Sequence, residues 1–306
     1  MNKRHSYIAL LLAGLWLLAG TGCTVDVPEK DSRETAVTFD PVLYATTKAS
    51  VPGKYPDDQP FGVSAWEYNT GAAWTGEKAQ PFLVNSRVSE QGVTWMPDLE
   101  VFWPGRKQLA FVAYSPYGAA DYIDPVNGVT FASVDVTRNQ TDLLYTEPAT
   151  DLTVYTSGGM VSLAFHHALC SLSFSLRTSD DDVYDHVSVL SLSLEKIACV
   201  GTFRSLPAPG WTTEGNDGKL TFFQGQQPLD GESRAVGKTL WVIPQFAVAR
   251  VVVRILLENT FIGTREESFV SAPLGIPLEP GRNYTFSLTC NPEFRSLKVD
   301  QLEKLQ

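Results

Sequence analysis

The sequence predicts an all-β protein of two tandem antiparallel β-sandwich domains, and three observations carry that expectation. Hydrophobic residues recur with period two along most of the chain, turn-forming clusters break these runs at short intervals, and beyond residue 23 no stretch shows a long amphipathic helix. Many short, half-buried strands separated by tight turns have to bury one face each, and two sheets packed face to face satisfy that need. With 306 residues, 43% of them hydrophobic, the chain has material for a real core.

The first element is a leader. Lys3 and Arg4 precede an apolar run from Tyr7 to Ala19, followed by Gly20-Thr21-Gly22-Cys23. A basic start, a short apolar run and small residues before a cysteine read as a lipoprotein signal peptide over residues 1–22, with Cys23 the acylated residue and a palmitate-type lipid anchor as the consequence. Gly20 departs from the Leu preferred at that place. The rival, an uncleaved inner-membrane anchor, needs about 20 apolar residues, more than this run supplies. Residues 23–34 are polar and short of aromatics, as a flexible tether is. Asp26, Glu29 and Asp31 resemble the surface-export signals of some Gram-negative anaerobe lipoproteins, a feature any solvated tether would share.

Strands follow. Val37, Phe39, Pro41 and Leu43 alternate with Thr38, Asp40, Val42 and Tyr44; Leu109, Phe111 and Ala113 form a second run, and Val161, Leu163 and Phe165 a third. Val251, Val253, Ile255 and Leu257 alternate with Arg250, Arg254 and Glu258, although Val252 and Leu256 thicken the outer face. Turns are expected at Pro56-Asp57-Asp58, Asn69-Thr70-Gly71, Pro104-Gly105, Pro125-Val126-Asn127-Gly128, Pro209-Gly210, Asn216-Asp217-Gly218 and Pro280-Gly281. The apolar parity changes between Leu169 and Leu172, so a turn, bulge or crossing between sheets falls near Cys170. The loop Thr156-Ser157-Gly158-Gly159 divides the body into an N-terminal sandwich, 35–157, and a C-terminal one, 158–306, whose interior includes Phe165 and His167. The best short helix candidate is the tail Val299 to Gln306.

Composition removes several functions. Loss of Lys3 and Arg4 with the leader leaves 22 basic residues against 34 acidic ones, a net charge of −12. Such a surface repels phosphate backbones and anionic headgroups, which argues against nucleic acid and leaves membrane attachment to the lipid. Cys170, Cys199 and Cys290 allow at most one disulfide; Cys290 continues the alternation of Tyr284, Phe286 and Leu288, so a buried free thiol is expected there. His166 and His167 are adjacent on a strand and therefore point to opposite faces, so His167 is read as a satisfied core histidine and not a metal ligand. Asp180, Asp181, Asp182 and Asp185 lack the ligand order and glycine of a calcium loop and are read as a solvated turn. No metalloprotease motif, nucleophile elbow or phosphate-cradling loop is present, so neither a catalytic centre nor a cofactor is expected. Trp66, Trp74, Trp95, Trp103, Trp211 and Trp241 remain after the leader. They are expected in the core or at its rim, with Trp74, in Gly-Ala-Ala-Trp-Thr-Gly, the one expected to be exposed.

A family resemblance emerges from an ordered set of segments. Phe61-Gly62-Val63, Phe102-Trp103-Pro104, Leu109 through Pro116, Asp142-Leu143-Leu144, Val161 through Leu169, Gly201-Thr202-Phe203, Trp241 through Gln245 and Pro280 through Phe286 occur in an order that resembles the fimbrillin-like lipoprotein family of type V pili. The resemblance implies two transthyretin-like β-sandwich domains, export as an outer-membrane lipoprotein to the cell surface, and assembly with other pilus subunits into fimbriae by strand exchange. It also implies proteolysis after a basic residue. A cut after Arg33 would free the body and keep the first strand, whereas a cut after Lys48 would remove both lipid and strand; in an uncut anchor or tip subunit the strand stays. Lys48 stands where many members have Arg, and the C-terminus ends in polar Glu303-Lys304-Leu305-Gln306 where many carry a Trp. In strand exchange, Val37, Phe39 and Leu43 would vacate pockets, and Leu297 and Val299, in the segment Phe294 to Leu302, would fill those of the next subunit. The rival function is a lipid-anchored, glycan-binding β-sandwich, and a host or bacterial surface ligand fits either reading.

Overall fold

A computed structural model describes residues 35–44, 53–179 and 183–305. Cys23, Arg33, Lys48, the leader, the tether and Asp180 to Asp182 lie outside the described residues. The strands are β1 (Thr38–Leu43), β2 (Gly53–Lys54), β3 (Phe61–Asn69), β4 (Gln80–Gln91), β5 (Thr94–Pro97), β6 (Lys107–Ser115), β7 (Tyr122–Asp124), β8 (Gly128–Asp135), β9 (Leu144–Thr146) and β10 (Ala149–Leu152). A one-turn helix, α1 (Val154–Ser157), precedes β11 (Met160–His167). Then come β12 (Cys170–Thr178), β13 (His186–Ile197), β14 (Val200–Arg204), β15 (Gly210–Glu214), β16 (Gly218–Leu229), β17 (Arg234–Ala235), β18 (Leu240–Val242), β19 (Phe246–Asn259), β20 (Thr264–Pro277), β21 (Asn283–Asn291) and β22 (Ser296–Leu305).

Local chemistry explains the punctuation. Between β7 and β8, Asp124 Oδ1 accepts the backbone N–H groups of Val126 and Asn127 at 2.8 and 2.7 Å, an Asx turn that Gly128 completes with φ +68°. Thr153 caps α1 by accepting the Thr156 N–H, and Gly158 ends it in the left-handed conformation. The small-residue loop expected at 156–159 is thus the end of a helical turn and its cap. Gly62 is required by packing: a Cβ there would sit 2.2 Å from the Tyr114 ring.

The first sheet runs β10-β6-β3-β4-β5-β1-β11-β9, with β9 also pairing β6, so seven of its strands close into a ring. Its interior is filled by the in-facing residues of each alternation, among them Val37, Phe39, Phe61, Val63, Leu109, Phe111, Val161, Leu163 and Phe165. Two further sheets, β17-β12-β21-β22 and β16-β13-β19-β20, form the second core. Phe174 carries the contact between them, edge-on to Phe222 at 4.7 Å and stacked on Phe286 at 5.4 Å. The fourth sheet, β15-β14-β8-β7, takes strands from both halves of the chain.

The all-β class holds, and the expectations that change are details within it. The pairing is not wholly antiparallel: β1 lies parallel to β11, and β12 parallel to β21. The sheets do not divide at residue 157. β11 belongs to the first ring, the passage to the second core occurs at buried Ala168-Leu169, and Phe165 therefore packs in the first core. The parity change near Cys170 marks that passage. Lastly, the tail is a strand and not a helix, because the ladder of β21 offers its N–H and C=O groups to it from Asn291 back to Asn283.

Candidate functional site

β1 is the strand on which the site is built. Val37 and Phe39 are buried because they face the ring's interior, and Pro41 is buried behind them; Asp40 points outward, and Leu43 is half-buried where the strand leaves the core. Phe39 sits edge-on to Phe61 at 5.8 Å and to Phe111 at 5.7 Å. Full burial of side chains such as Val37 and Phe39 is worth roughly 1.5–3 kcal/mol each. The same two residues are what a departing strand would leave as empty pockets.

Backbone bonds hold β1 on both sides. Its register with β11 runs from Thr38 opposite Met160 to Leu43 opposite Phe165, and Tyr44 N–H donates to the Phe165 carbonyl at 2.7 Å. On the other side, Val37 N–H reaches the Val101 carbonyl at 2.9 Å and Phe39 pairs with Trp95 of β5. The Gly159 carbonyl is a node, accepting Thr38 N–H at 3.2 Å, Thr38 Oγ1–H at 3.3 Å and Trp103 Nε1–H at 3.2 Å. Pro41 has no N–H to donate, so one donor is missing from β1, although its register with β11 runs unbroken from Thr38 to Leu43. β1 is thus an inner member of a ring and not an edge strand.

The exit of β1 carries an aromatic stack that the sequence reading did not anticipate. Tyr44 lies on the His166 imidazole at 4.1 Å, and Tyr145 lies 5.4 Å from the same ring. Burial holds the His166 pKa below its ordinary value, against the opposing charge of Glu147. Beyond residues 45–52, Tyr55 re-enters the core, donating to Ser115 Oγ at 2.5 Å with Phe165 4.9 Å away. His167, on the opposite face, is half-buried instead of in the core: its Nδ1 meets Asp142 Oδ2 at 2.9 Å, and its ring stacks on Trp241 at 5.9 Å. Asp142 lies far from His167 in sequence, so no local spacing announced the pair. Among the described residues no cluster of His, Cys, Asp or Glu could hold a metal.

The C-terminal strand stands in the other lobe. β22 pairs only with β21 among the described strands, leaving its outer edge open. Leu297, opposite Cys290, is buried and Val299 is half-buried, while Asp300 is held by Thr289, by Arg177 at 3.7 Å and by Lys298 at 3.4 Å. Val37, Phe39 and Leu43 thus pack against one core, the first, and Leu297 and Val299 against the second. Cys170, Cys199 and Cys290 are buried and in no disulfide, and burial pushes the Cys170 thiol up to about 12. Trp103 and Trp66 are core residues, and Trp74, Trp95, Trp211 and Trp241 are half-buried at the rim.

Comparison with known proteins locates this architecture. A fimbrial protein from Bacteroides vulgatus has TM-score 0.67 at 16% identity, covering 88% of this chain and 98% of its own. A candidate cell adhesion protein from Bacteroides ovatus has TM-score 0.57 at 13% identity over 89% of this chain and 98% of its own. At such identities the likeness is one of fold. No curated protein matches the sequence. The model of the fimbrillin-like family, however, matches residues 47–304. The match spans both lobes and the fourth sheet that joins them, and the chain belongs to the fimbrillin-like family.

Proposed function

We propose that this protein is a subunit of a surface fimbria, exported as a lipoprotein through Cys23 and assembled by exchange of its first strand. One observation carries the reading: the segment nearest the acylation site supplies an inner strand of a closed ring, with Val37 and Phe39 filling the core. Removing β1 opens the ring between β5 and β11 and leaves two rows of unpaired N–H and C=O groups beside vacant apolar pockets. An extended segment with alternating apolar side chains restores both. While β1 stays covalently attached its effective concentration excludes competitors; a cut after Lys48 abolishes that advantage. The donor is the C-terminal segment of a neighbouring subunit, in which Leu297 and Val299 alternate with Lys298 and Asp300.

The test is the N-terminus of the protein recovered from sheared surface fibres. A start at Ala49 is the expected result. A start at acylated Cys23 or at Glu34 means that β1 stays in place within the fibre and contradicts exchange by this chain.

A further inference from the structure

We infer that the cleft beside Trp74 is a binding site for a neutral saccharide, a function separate from subunit assembly. The cleft lies where the loop between β3 and β4 folds over the start of β6, and its volume is about 630 Å³. Ligand sites commonly span about 300–1,000 Å³. A short oligosaccharide fits such a space.

The cleft is preformed, because its loop is fastened at several points. Gly71 N–H donates to Gln108 Oε1 at 2.8 Å, Thr70 Oγ1 donates to the Arg106 carbonyl at 3.2 Å, and Ala72 N–H closes a turn on the Asn69 carbonyl at 3.0 Å. Farther along, Gly76 lies so close to the β7–β8 turn that a Cβ would be 2.3 Å from the Pro125 carbonyl oxygen. The loop is therefore bonded on one flank of Trp74 and closely packed on the other. The indole itself leans on Tyr68 at 5.4 Å and Trp66 at 6.1 Å, and Tyr68 is in turn fixed by donating to Asp151 Oδ1 at 3.0 Å. A half-buried indole, braced from behind and lining a cleft, is a rigid platform for the C–H face of a sugar ring.

The polar lining suits hydroxyl groups. Glu67 and Glu77 supply acceptors and Lys78 supplies donors. Lys107 Nζ donates to Asn69 Oδ1 at 2.9 Å, which turns the amide so that Asn69 Nδ2 is left to donate. The lining carries two carboxylates and two ammonium groups and is electrically balanced, while the chain as a whole carries −10. A balanced cleft on an acidic protein favours an uncharged ligand over an anionic one. Aromatic surface with paired acceptors and donors, and no metal cluster among the described residues, points to a sugar in preference to a phosphate or a cation.

The probes are maltotriose, cellotriose, triacetylchitotriose and sialyllactose, read on the full mature chain by saturation-transfer NMR and calorimetry. At least one neutral trisaccharide should bind with a Kd of about 1 mM or tighter. Trp74→Ala should weaken it about tenfold or more, and Trp74→Phe less, since a smaller ring keeps part of the platform. Glu77 and Asn69 are exposed, so Glu77→Ala and Asn69→Ala should each weaken binding at unchanged Tm. If Trp74→Ala melts early, the decision rests on those two variants. Saturation by none of the neutral sugars, equal binding in Glu77→Ala and Asn69→Ala, or preference for sialyllactose overturns the inference.

Discussion

Phe165 shows how one residue ties several elements together. Its ring lies 4.9 Å from Tyr55 and 5.3 Å from Phe61, and it is fully buried on the strand that pairs with β1. Phe165→Ala removes the burial and leaves a cavity, so it should cost about 3–5 kcal/mol in urea denaturation. A loss under about 1 kcal/mol would mean that the ring is not packed as described. His166, one residue on, contributes a pH dependence of its own. Its pKa is depressed in the fold by burial, so the unfolded chain takes up the proton first as pH falls. Stability should therefore decline as pH falls through and below the ordinary histidine value of about 6.5, and His166→Gln, with no proton to accept there, should decline less. Parallel melting profiles for the two proteins would assign the pH dependence to other groups.

Elements were legible wherever one face is buried. Val37 with Phe39, and Val161 with Leu163 and Phe165, announce their strands because alternate positions face a core, and the structure buries those residues. Partnership was not legible, because period two fixes which face is inside and not which neighbour or direction a strand takes. That is why the parallel pairing of β1 with β11 and the shared sheet of β8 and β14 had no local signal. Parity did reveal the passage between cores near Cys170. The C-terminal tail misled for a related reason: Leu302 and Leu305 have helical spacing, but the free ladder of β21 decides. A chain ending at Arg295 tests that element. It should expose Cys290, whose partner across the ladder is Leu297, to alkylation while Cys170 and Cys199 stay protected. Continued protection of Cys290 would show that β22 is not its cover.

At the scale of the whole molecule, β1 completes the first ring and β22 occupies the open edge of the second lobe. Exchange between subunits requires that the first be removable and the second be transferable. β22 is held by the single ladder of β21, by burial of Leu297 against the second core, and by surface ion pairs on Asp300, each pair worth about 1 kcal/mol or less. β1 is held by the buried side chains of Val37, Phe39 and Pro41 and by backbone bonds on both sides, so under the proposed exchange it would leave only after a cut. The candidate saccharide cleft, at the β3–β4 loop, involves neither strand, so assembly and ligand capture can coexist in one subunit. The most direct test of strand exchange is limited digestion of the purified precursor with a Lys-specific protease, followed by titration with a peptide copying residues 290–306. The expected result is cleavage after Lys48, loss of the segment carrying Val37 and Phe39, and saturable binding of the peptide or growth of polymers. Cleavage after Lys48 and loss of that segment, with neither peptide binding nor polymers, would contradict the account.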